Sequence, residues 1–349
     1  MPSPIDWRTL YAQNQAAIRA SGVSLPSLPS APPAPGVIGG ETLLARPGEP
    51  RTFTVGGRAR QALVYAPPGV GIETPAPLVC MLHGRTQDPR SFAAATRVTA
   101  AADRHGFVVV LPGQDRGDNA MGCWNWFEPG HQTRGRGEPA AIVGIVGQMV
   151  GASAPRIDPR RIFVCGLSSG GAMAAILAAT YPDVFAAAAI HSGLAYGSAS
   201  DLPSAYAAMA NGAADPAGRG RAAFAAMGSH ARAVPTIVVH GTADRTVAPV
   251  NAHQVLRQAM TANRLAAPEC RELDEHRPAS VSDGHTDGGL AFTSTRWNDA
   301  RGRLVHELLL VDGLGHAWSG GLPGGSYTDP RGPDATEAIA RFYSAAVDE

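Results

Sequence analysis

The sequence predicts an α/β fold, in which a mostly parallel central sheet of about eight strands carries helices on both faces. Continuously apolar runs bounded by turn residues, such as residues 78–82 and 236–240, are typical of strands buried on both sides. Helical stretches separate most of these runs, as crossovers between parallel strands require. The chain also has 41 glycines and 29 prolines among its 349 residues, which supply the turns.

The predicted elements follow in order within residues 51–349, interpreted as one domain. An antiparallel pair opens it, since Gly56-Gly57 is a hairpin turn signal. The strands of this pair and the buried strands after it are residues 52–55, 60–65, 78–82, 107–111, 161–165, 186–190 and 236–240. The helices are residues 90–105, 139–151, 170–180, 250–264 and 333–347. Residues 292–297 and 304–311 form a late hairpin whose second arm enters the sheet.

Two segments lie apart from this alternation. Residues 1–50 are predicted to contain one short amphipathic helix followed by a Pro-rich linker. Residues 194–234 are rich in Ala and Gly and poor in strand signal. They are interpreted either as a lid-like insertion or as helices packed on the sheet, and both interpretations stay open.

The charge of the chain excludes several functions. All 29 basic residues are arginines, and 29 acidic residues balance them. Without lysine the chain can hold neither a Walker-type phosphate loop nor a Schiff base, and zero net charge gives no reason to expect nucleic acid. No apolar run is long enough for a membrane span, and no secretory signal is evident. A cytoplasmic location is expected, an extracellular one stays open if a signal was removed, and the oligomeric state is not predicted.

The cysteines indicate no metal site. Cys80, Cys123, Cys165 and Cys270 form no CxxC pair, so structural zinc is not expected. Cys80 and Cys165 lie in apolar runs and are expected to be buried as small apolar side chains. Cys123 and Cys270 could form one disulfide at most. The polar cluster at residues 283–289 resembles a ligand set but lacks a known spacing, so a surface loop is predicted and no metal is expected.

The strongest motif is Gly-Leu-Ser-Ser-Gly at residues 166–170. It follows a predicted strand directly and precedes a predicted helix, which is the context that makes a G-x-S-x-G motif specific. Such a turn needs small residues around the serine because the backbone passes too closely for side chains. It holds the serine at the carboxyl edge of the sheet and at a helix N-terminus. Ser168 is therefore the candidate nucleophile.

A serine nucleophile needs a general base and an acid that orients it. His316 fits the base because it lies in a glycine-rich loop just after the last predicted strand. Asp244 fits the acid because it follows another strand and lies between serine and histidine in the order typical of this turn. His240 precedes the acid, and Asp312 shares a loop with the base and is interpreted as a turn cap. The alternatives for His316 and Asp244 are a locally bonded histidine and a helix N-cap.

Two further features complete the candidate site. The backbone N–H groups of Ser169 and Arg85 are the candidate oxyanion donors, the latter in the loop after residues 78–82. Trp124, Trp126 and Trp318 are candidates for an aromatic wall that binds the substrate, with buried core positions as an equal alternative.

Several longer motifs lie between about residue 60 and the C-terminus. They are Leu82-His83-Gly84-x-Thr86-Gln87, Cys123-Trp124-Asn125-Trp126-Phe127, Gly137-Glu138-Pro139, residues 166–173, His191-Ser192-Gly193, residues 315–321 and residues 325–330. In these motifs the chain resembles the esterases of the polyhydroxybutyrate (PHB) depolymerase family, within the α/β-hydrolase superfamily.

The resemblance implies a cofactor-independent serine hydrolase of carboxylic esters, with Ser168, Asp244 and His316 as its triad. The implied substrates are poly(3-hydroxyalkanoate), its oligomers or related esters, cleaved through an acyl-enzyme. A feruloyl or acetylxylan esterase and an acyltransferase with the same triad stay open, while a non-catalytic binding protein is disfavoured. The family commonly has cysteine where this chain has Arg85. A cysteine there could pair with Cys123, so we expect that cross-link to be absent.

Overall fold

A computed structural model gives the fold of residues 48–347. Its strands are β1 (Glu49–Val55), β2 (Arg58–Tyr65), β3 (Ala76–Leu82), β4 (Val108–Pro112), β5 (Ile157–Leu167), β6 (Ala187–His191), β7 (Thr236–Gly241), β8 (Ser280–His285), β9 (Ala291–Asn298), β10 (Leu304–Val311), β11 (Trp318–Ser319) and β12 (Thr328–Asp329). Its α-helices are α1 (Pro89–Thr96), α2 (Val98–His105), α3 (Gly137–Val150), α4 (Ser169–Thr180), α5 (Leu202–Asn211), α6 (Pro216–Met227), α7 (Val250–Ala266) and α8 (Ala335–Val347). The helix and linker predicted within residues 1–50 lie outside the described residues, apart from the start of β1.

Ten strands form one sheet in the order β1-β2-β4-β3-β5-β6-β7-β10-β9-β8. From β4 to β10 the neighbouring strands pair in parallel, whereas antiparallel pairs lie at both margins. The mostly parallel sheet is confirmed, but the predicted number of strands is too low. Residues 280–285 form the edge strand β8, which overlaps the segment 283–289 predicted as a surface loop. Its side chains are mostly exposed and therefore give no apolar signal.

Helices cover both faces of the sheet, as predicted. Alternate residues of β3 contribute to two buried apolar clusters, with Leu78 and Leu82 in one and Val79 and Met81 in the other. Helices α3 to α7 pack into the first cluster, and α1, α2 and α8 pack into the second. Within residues 48–347, no helix is both long and apolar enough to cross a membrane.

One predicted helix is wrong in detail. Residues 90–105 form two helices because Arg97, between α1 and α2, has a left-handed backbone with φ of 56°. Its guanidinium donates to the Gly320 carbonyl and lies 3.2 Å from Asp334 Oδ2. These partners are more than 200 residues away in sequence, so the apolar spacing that spans both helices could not reveal the break.

Residues 194–234 contain α5 and α6. Helix α6 packs against α4 and α7. The Gln258 side chain of α7 accepts from the N–H of Tyr196 at 2.7 Å and donates to its carbonyl at 3.0 Å. These contacts favour packed helices over a lid.

The first turn of α4 lies against the end of β3 at Gly170. A Cβ at this position would lie 2.2 Å from the Leu82 carbonyl oxygen and 2.6 Å from that of His83. Real Cβ atoms are not found this close to backbone, so a side chain here would force the helix away from the sheet.

We expect Gly170→Ala to lower the free energy of unfolding by at least about 2 kcal/mol, because the clash is with backbone and not with a side chain that can rotate. The matched control is Gly147→Ala, in the exposed part of α3, where no atom lies within 4 Å of the new Cβ. This control should raise the free energy of unfolding by up to about 1 kcal/mol, since alanine favours the helix. Urea unfolding followed by circular dichroism measures the free energy of unfolding of both variants. Equal changes in the two variants would contradict the close approach of Gly170 to the backbone of β3.

Candidate active site

Ser168 occupies the turn between β5 and α4, as the motif predicts. Its backbone has φ of 57° and ψ of −116°, a conformation that is costly for any residue with a side chain. The turn is held because the Ser168 N–H donates to the His191 carbonyl at 2.9 Å and its own carbonyl accepts from Ala172 N–H at 2.9 Å. Strain of this kind is typical of functional sites, and here it points to the serine hydroxyl.

His316 and Asp244 are in direct contact. Nδ1 of His316 donates to Asp244 Oδ2 at 2.7 Å, while Oδ1 accepts the N–H groups of Thr246 and Val247, each at 2.9 Å. Burial alone would raise the pKa of Asp244, but the hydrogen bond and charge of His316, with a contribution from His240, lower that pKa below its ordinary value. The carboxylate therefore stays charged and fixes the Nδ1–H tautomer, which leaves Nε2 of His316 as the free nitrogen.

His191 connects the loops of Ser168 and His316, although no hydrogen bond joins Ser168 Oγ to His316 among the described residues. Its carbonyl accepts from Ser168, its Nε2 accepts the Ser319 N–H at 3.1 Å, and its ring stacks on Trp318 at 4.8 Å. Burial, with a smaller effect of neighbouring histidines, lowers the pKa of His191 to about 3, so the ring stays neutral and Nε2 keeps its lone pair. Sequence reasoning missed this role, although a histidine that ends an apolar strand was a visible signal.

Neither of the two rejected candidates forms a hydrogen bond with His316 among the described residues. His240 is fully buried, with its Nε2–H donating to the Val247 carbonyl at 2.9 Å, and it lies 3.5 Å from Asp244 Oδ2. It therefore braces the loop of the acid. Asp312 is exposed, and among the described residues its carboxylate makes no hydrogen bond to His316.

The N–H groups of Arg85 and Ser169 have no hydrogen-bond acceptor within residues 48–347. Ser169 begins α4, directly after the candidate nucleophile. Gly84 lies beside Ser168, since a Cβ on Gly84 would be 3.7 Å from that of Ser168. Two unengaged amides next to the serine suit the stabilisation of an oxyanion.

Hydrogen bonds from buried side chains hold the loop that carries Arg85 in place. Nδ1–H of His83 donates to the Gly84 carbonyl at 2.8 Å, and Nε2 accepts from Gln114 N–H at 3.1 Å. Gln87 accepts the Gly84 N–H at 2.8 Å and donates to the Ser326 carbonyl at 2.8 Å. The amide of Arg85 is thus pre-positioned, which lowers the cost of binding an oxyanion.

The aromatic wall predicted from three tryptophans is not exposed. Trp124, Trp126 and Trp318 are 3%, 5% and 1% exposed, so the structure favours their interior alternative. The indole N–H of Trp124 donates to the His83 carbonyl at 3.0 Å, and that of Trp318 donates to Thr336 at 3.0 Å. Trp124 and Trp318 therefore support the loops of the site from the interior, because their indole N–H groups are engaged there.

Two other apolar side chains are exposed at the site. Tyr327 is 38% exposed and lies edge-on to His316, with ring centroids 6.2 Å apart. Met121 is 44% exposed, and its carbonyl accepts from Thr86 N–H, next to Arg85. Sequence reasoning missed both, because an isolated apolar residue in a polar loop carries no periodic signal.

All four cysteines are free thiols, so the possible disulfide between Cys123 and Cys270 is absent. Burial raises the pKa of Cys123 to about 11, although Ser169 and Arg85 act in the opposite direction. Within residues 48–347, no group of three or more His, Cys, Asp or Glu side chains could hold a metal ion.

Known proteins resemble this chain in sequence. Residues 61–278 match the family model of the esterase PHB depolymerases. Poly(3-hydroxyalkanoate) depolymerase C of Paucimonas lemoignei is 37% identical over 248 residues, which cover 70% of this chain and 56% of that protein. Feruloyl esterase B of Neurospora crassa is 36% identical over 131 residues, which cover 36% of this chain and 43% of that protein. The chain spans about half the length of the curated relatives it matches.

The fold also has known counterparts. The structure of an acetyl xylan esterase from Aspergillus awamori matches with a TM-score of 0.66 and 20% sequence identity, covering 85% of this chain and 99% of the other. At this level of identity the likeness concerns the fold, and it confirms the predicted α/β-hydrolase architecture.

We expect His191→Gln to make the free energy of unfolding depend less on pH in mildly acidic solution. Below about pH 6.5 an unfolded histidine binds a proton, whereas His191 with a pKa of about 3 stays neutral, so the free energy of unfolding falls as the pH decreases. Each such histidine contributes about 1.4 kcal/mol per pH unit in this window. Urea unfolding between about pH 6.5 and 5 should give a shallower slope for the variant.

The control for this prediction is His276→Gln, whose side chain is 82% exposed. It should leave the wild-type slope unchanged, because its ring is in contact with water in the folded as in the unfolded state. Equal slopes for the two variants would contradict a neutral, buried His191.

Proposed function

The chain belongs to the esterase family of PHB depolymerases, and we propose that it hydrolyses carboxylic esters through Ser168, with poly(3-hydroxyalkanoate)-type polyesters or their oligomers as substrates. The observation that carries this proposal is the 2.7 Å hydrogen bond from His316 Nδ1 to Asp244 Oδ2. Together with a strained serine at a strand–helix turn, it supports a nucleophile, base and acid in the order that this fold uses.

In the proposed first step, Ser168 Oγ attacks the ester carbonyl carbon while His316 Nε2 accepts the hydroxyl proton. The Oγ–C bond forms as the carbonyl electrons move to oxygen, and the N–H groups of Arg85 and Ser169 stabilise that negative charge. The serine–histidine hydrogen bond forms with substrate bound, since such bonds are often long without it.

The imidazolium of His316 then gives its proton to the leaving alkoxide, and the C–O bond of the ester breaks. Water attacks the acyl-enzyme in the same way, with His316 as base, and releases the acid and free Ser168. Asp244 keeps its negative charge throughout, so it stabilises the imidazolium in both halves of the cycle.

Feruloyl or acetylxylan ester hydrolysis is the second candidate. The similarity to feruloyl esterase B supports it, because that match has nearly the same identity, although it covers only 36% of the chain. The same triad would serve these esters, and only the groups around the acyl and alcohol parts would differ.

We expect Asp244→Asn to lower kcat by about 10³- to 10⁴-fold for p-nitrophenyl butyrate, since an amide favours the wrong tautomer and cannot stabilise the imidazolium. Asp312→Asn is the matched control and should behave like wild type. Ser168→Ala should fold and lose turnover to the background rate. Turnover in Ser168→Ala, or equal losses in the two aspartate variants, would overturn this triad.

We expect the wild-type protein to hydrolyse 3-hydroxybutyrate oligomers with a higher kcat/KM than methyl ferulate or acetylated xylan. Chromatography of the released acids measures all three, and Ser168→Ala provides the background for each. A preference for ferulate or acetyl groups would replace the polyester proposal by the second candidate and leave the esterase mechanism intact.

A further inference from the structure

The side chain of Arg85 is unusual among the arginines of residues 48–347. It is half-buried, yet it makes no hydrogen bond and no ion pair in this part of the chain. The other half-buried arginines each have an ion-pair or hydrogen-bond partner, and these pairs are Arg51 with Glu49, Arg60 with Asp118, Arg134 with Asp183, Arg161 with Asp158, and Arg219 with the Gly197 carbonyl. A partly desolvated cation without an anion favours the binding of one.

Arg85 belongs to the loop that borders the candidate active site. Its own amide is a candidate oxyanion donor, and the preceding Gly84 lies beside Ser168. The charge of Arg85 lowers the pKa of the Cys123 thiol, against the larger effect of burial. Arg85 therefore belongs to the loop that borders the proposed nucleophile.

The nearby carboxylates are engaged elsewhere. Asp88 accepts from the N–H groups of Arg90 and Ser91 at 2.9 and 3.0 Å and caps α1. Glu138 is buried and accepts from the N–H and the side-chain amide of Asn125 at 2.8 and 2.6 Å. Asp244 is bonded to the base. None of these three carboxylates pairs with Arg85, so its guanidinium is available to an anion of a ligand.

Exposed apolar side chains near Arg85 indicate the second property of the ligand, which is a hydrocarbon part. Met121 and Tyr327 are two of the six large apolar side chains exposed in the described chain, and they lie beside the Arg85 loop and the base. A cation and apolar side chains on neighbouring loops suit a ligand that carries both hydrocarbon and a carboxylate.

We propose that Arg85 binds a free carboxylate of the substrate, so that the site prefers esters of hydroxyacids that end in a free carboxyl group over neutral esters. This inference rests on the proposed function and deepens it. Each cleavage of a polyester produces such an end, and short oligomer acids combine it with the small hydrocarbon groups that Met121 and Tyr327 can contact.

The test uses two matched substrates, the dimer acid of 3-hydroxybutyrate and its N-methyl amide. Each has one ester bond and releases the same acyl product, but only the first carries a carboxylate. The ratio of their kcat/KM values, acid over amide, isolates the effect of that charge. In Arg85→Met this ratio should fall by about tenfold to a hundredfold, because charge-assisted hydrogen bonds are lost.

Two variants serve as controls. Arg90→Met, an exposed arginine without an ion pair on the adjacent helix, should keep the wild-type ratio. Arg85→Lys should keep part of the preference, since lysine retains the charge but not the planar donor pair. A preference that weakens as salt is added to the wild-type enzyme would also support the pairing.

The outcomes separate the two proposals. If the wild type cleaves the amide, loses this in Ser168→Ala, and shows the same ratio as Arg85→Met, the role of Arg85 is overturned while the esterase mechanism stands. Cleavage of neither dimer overturns the preference for hydroxyacid esters, and p-nitrophenyl butyrate then tests the esterase mechanism separately.

Discussion

The close contact between the first turn of α4 and the ends of β3 and β5 is the constraint on which the site depends. It is possible only because Gly166 and Gly170 lack side chains, since a Cβ on either would lie 2.4 Å or less from backbone atoms. The contact fixes Ser168 in a strained conformation and brings Gly84 beside it, so the proposed nucleophile and the proposed oxyanion amides share one rigid support. Packing thus stabilises a conformation that the local sequence would avoid.

Buried neutral histidines hold the loops of the site in place. His83, His191 and His240 hold the three loops next to the proposed nucleophile and the proposed acid, and burial lowers the pKa of each. A neutral ring offers one donor and one acceptor, so it can connect two loops without introducing a charge into the interior. His316 differs from them because Asp244 engages only its Nδ1, and its other nitrogen is left for chemistry.

The sequence predicted those parts of the structure that depend on local pattern and chain order. Buried strands are continuously apolar, and the contact of His316 with Asp244 agrees with the order of residues inferred from the Ser168 motif. The edge strand β8 and the break at Arg97 could not be predicted, because one has no buried face and the other depends on distant partners. The exposure of Tyr327 and the burial of the tryptophans also depend on how loops pack, which residue type does not determine.

In the loop after β3, the backbone amide and the side chain of one residue can serve different functions, one in the reaction and the other in substrate selectivity. The proposed oxyanion donor at position 85 is a backbone amide, which every residue except proline provides, and the bonds of His83 and Gln87 hold it in place. The side chain at this position is then free to differ without moving the amide. In this chain it is an arginine that pairs with none of the carboxylates of Asp88, Glu138 and Asp244, so in the proposed role its charge acts on the ligand and not on the fold.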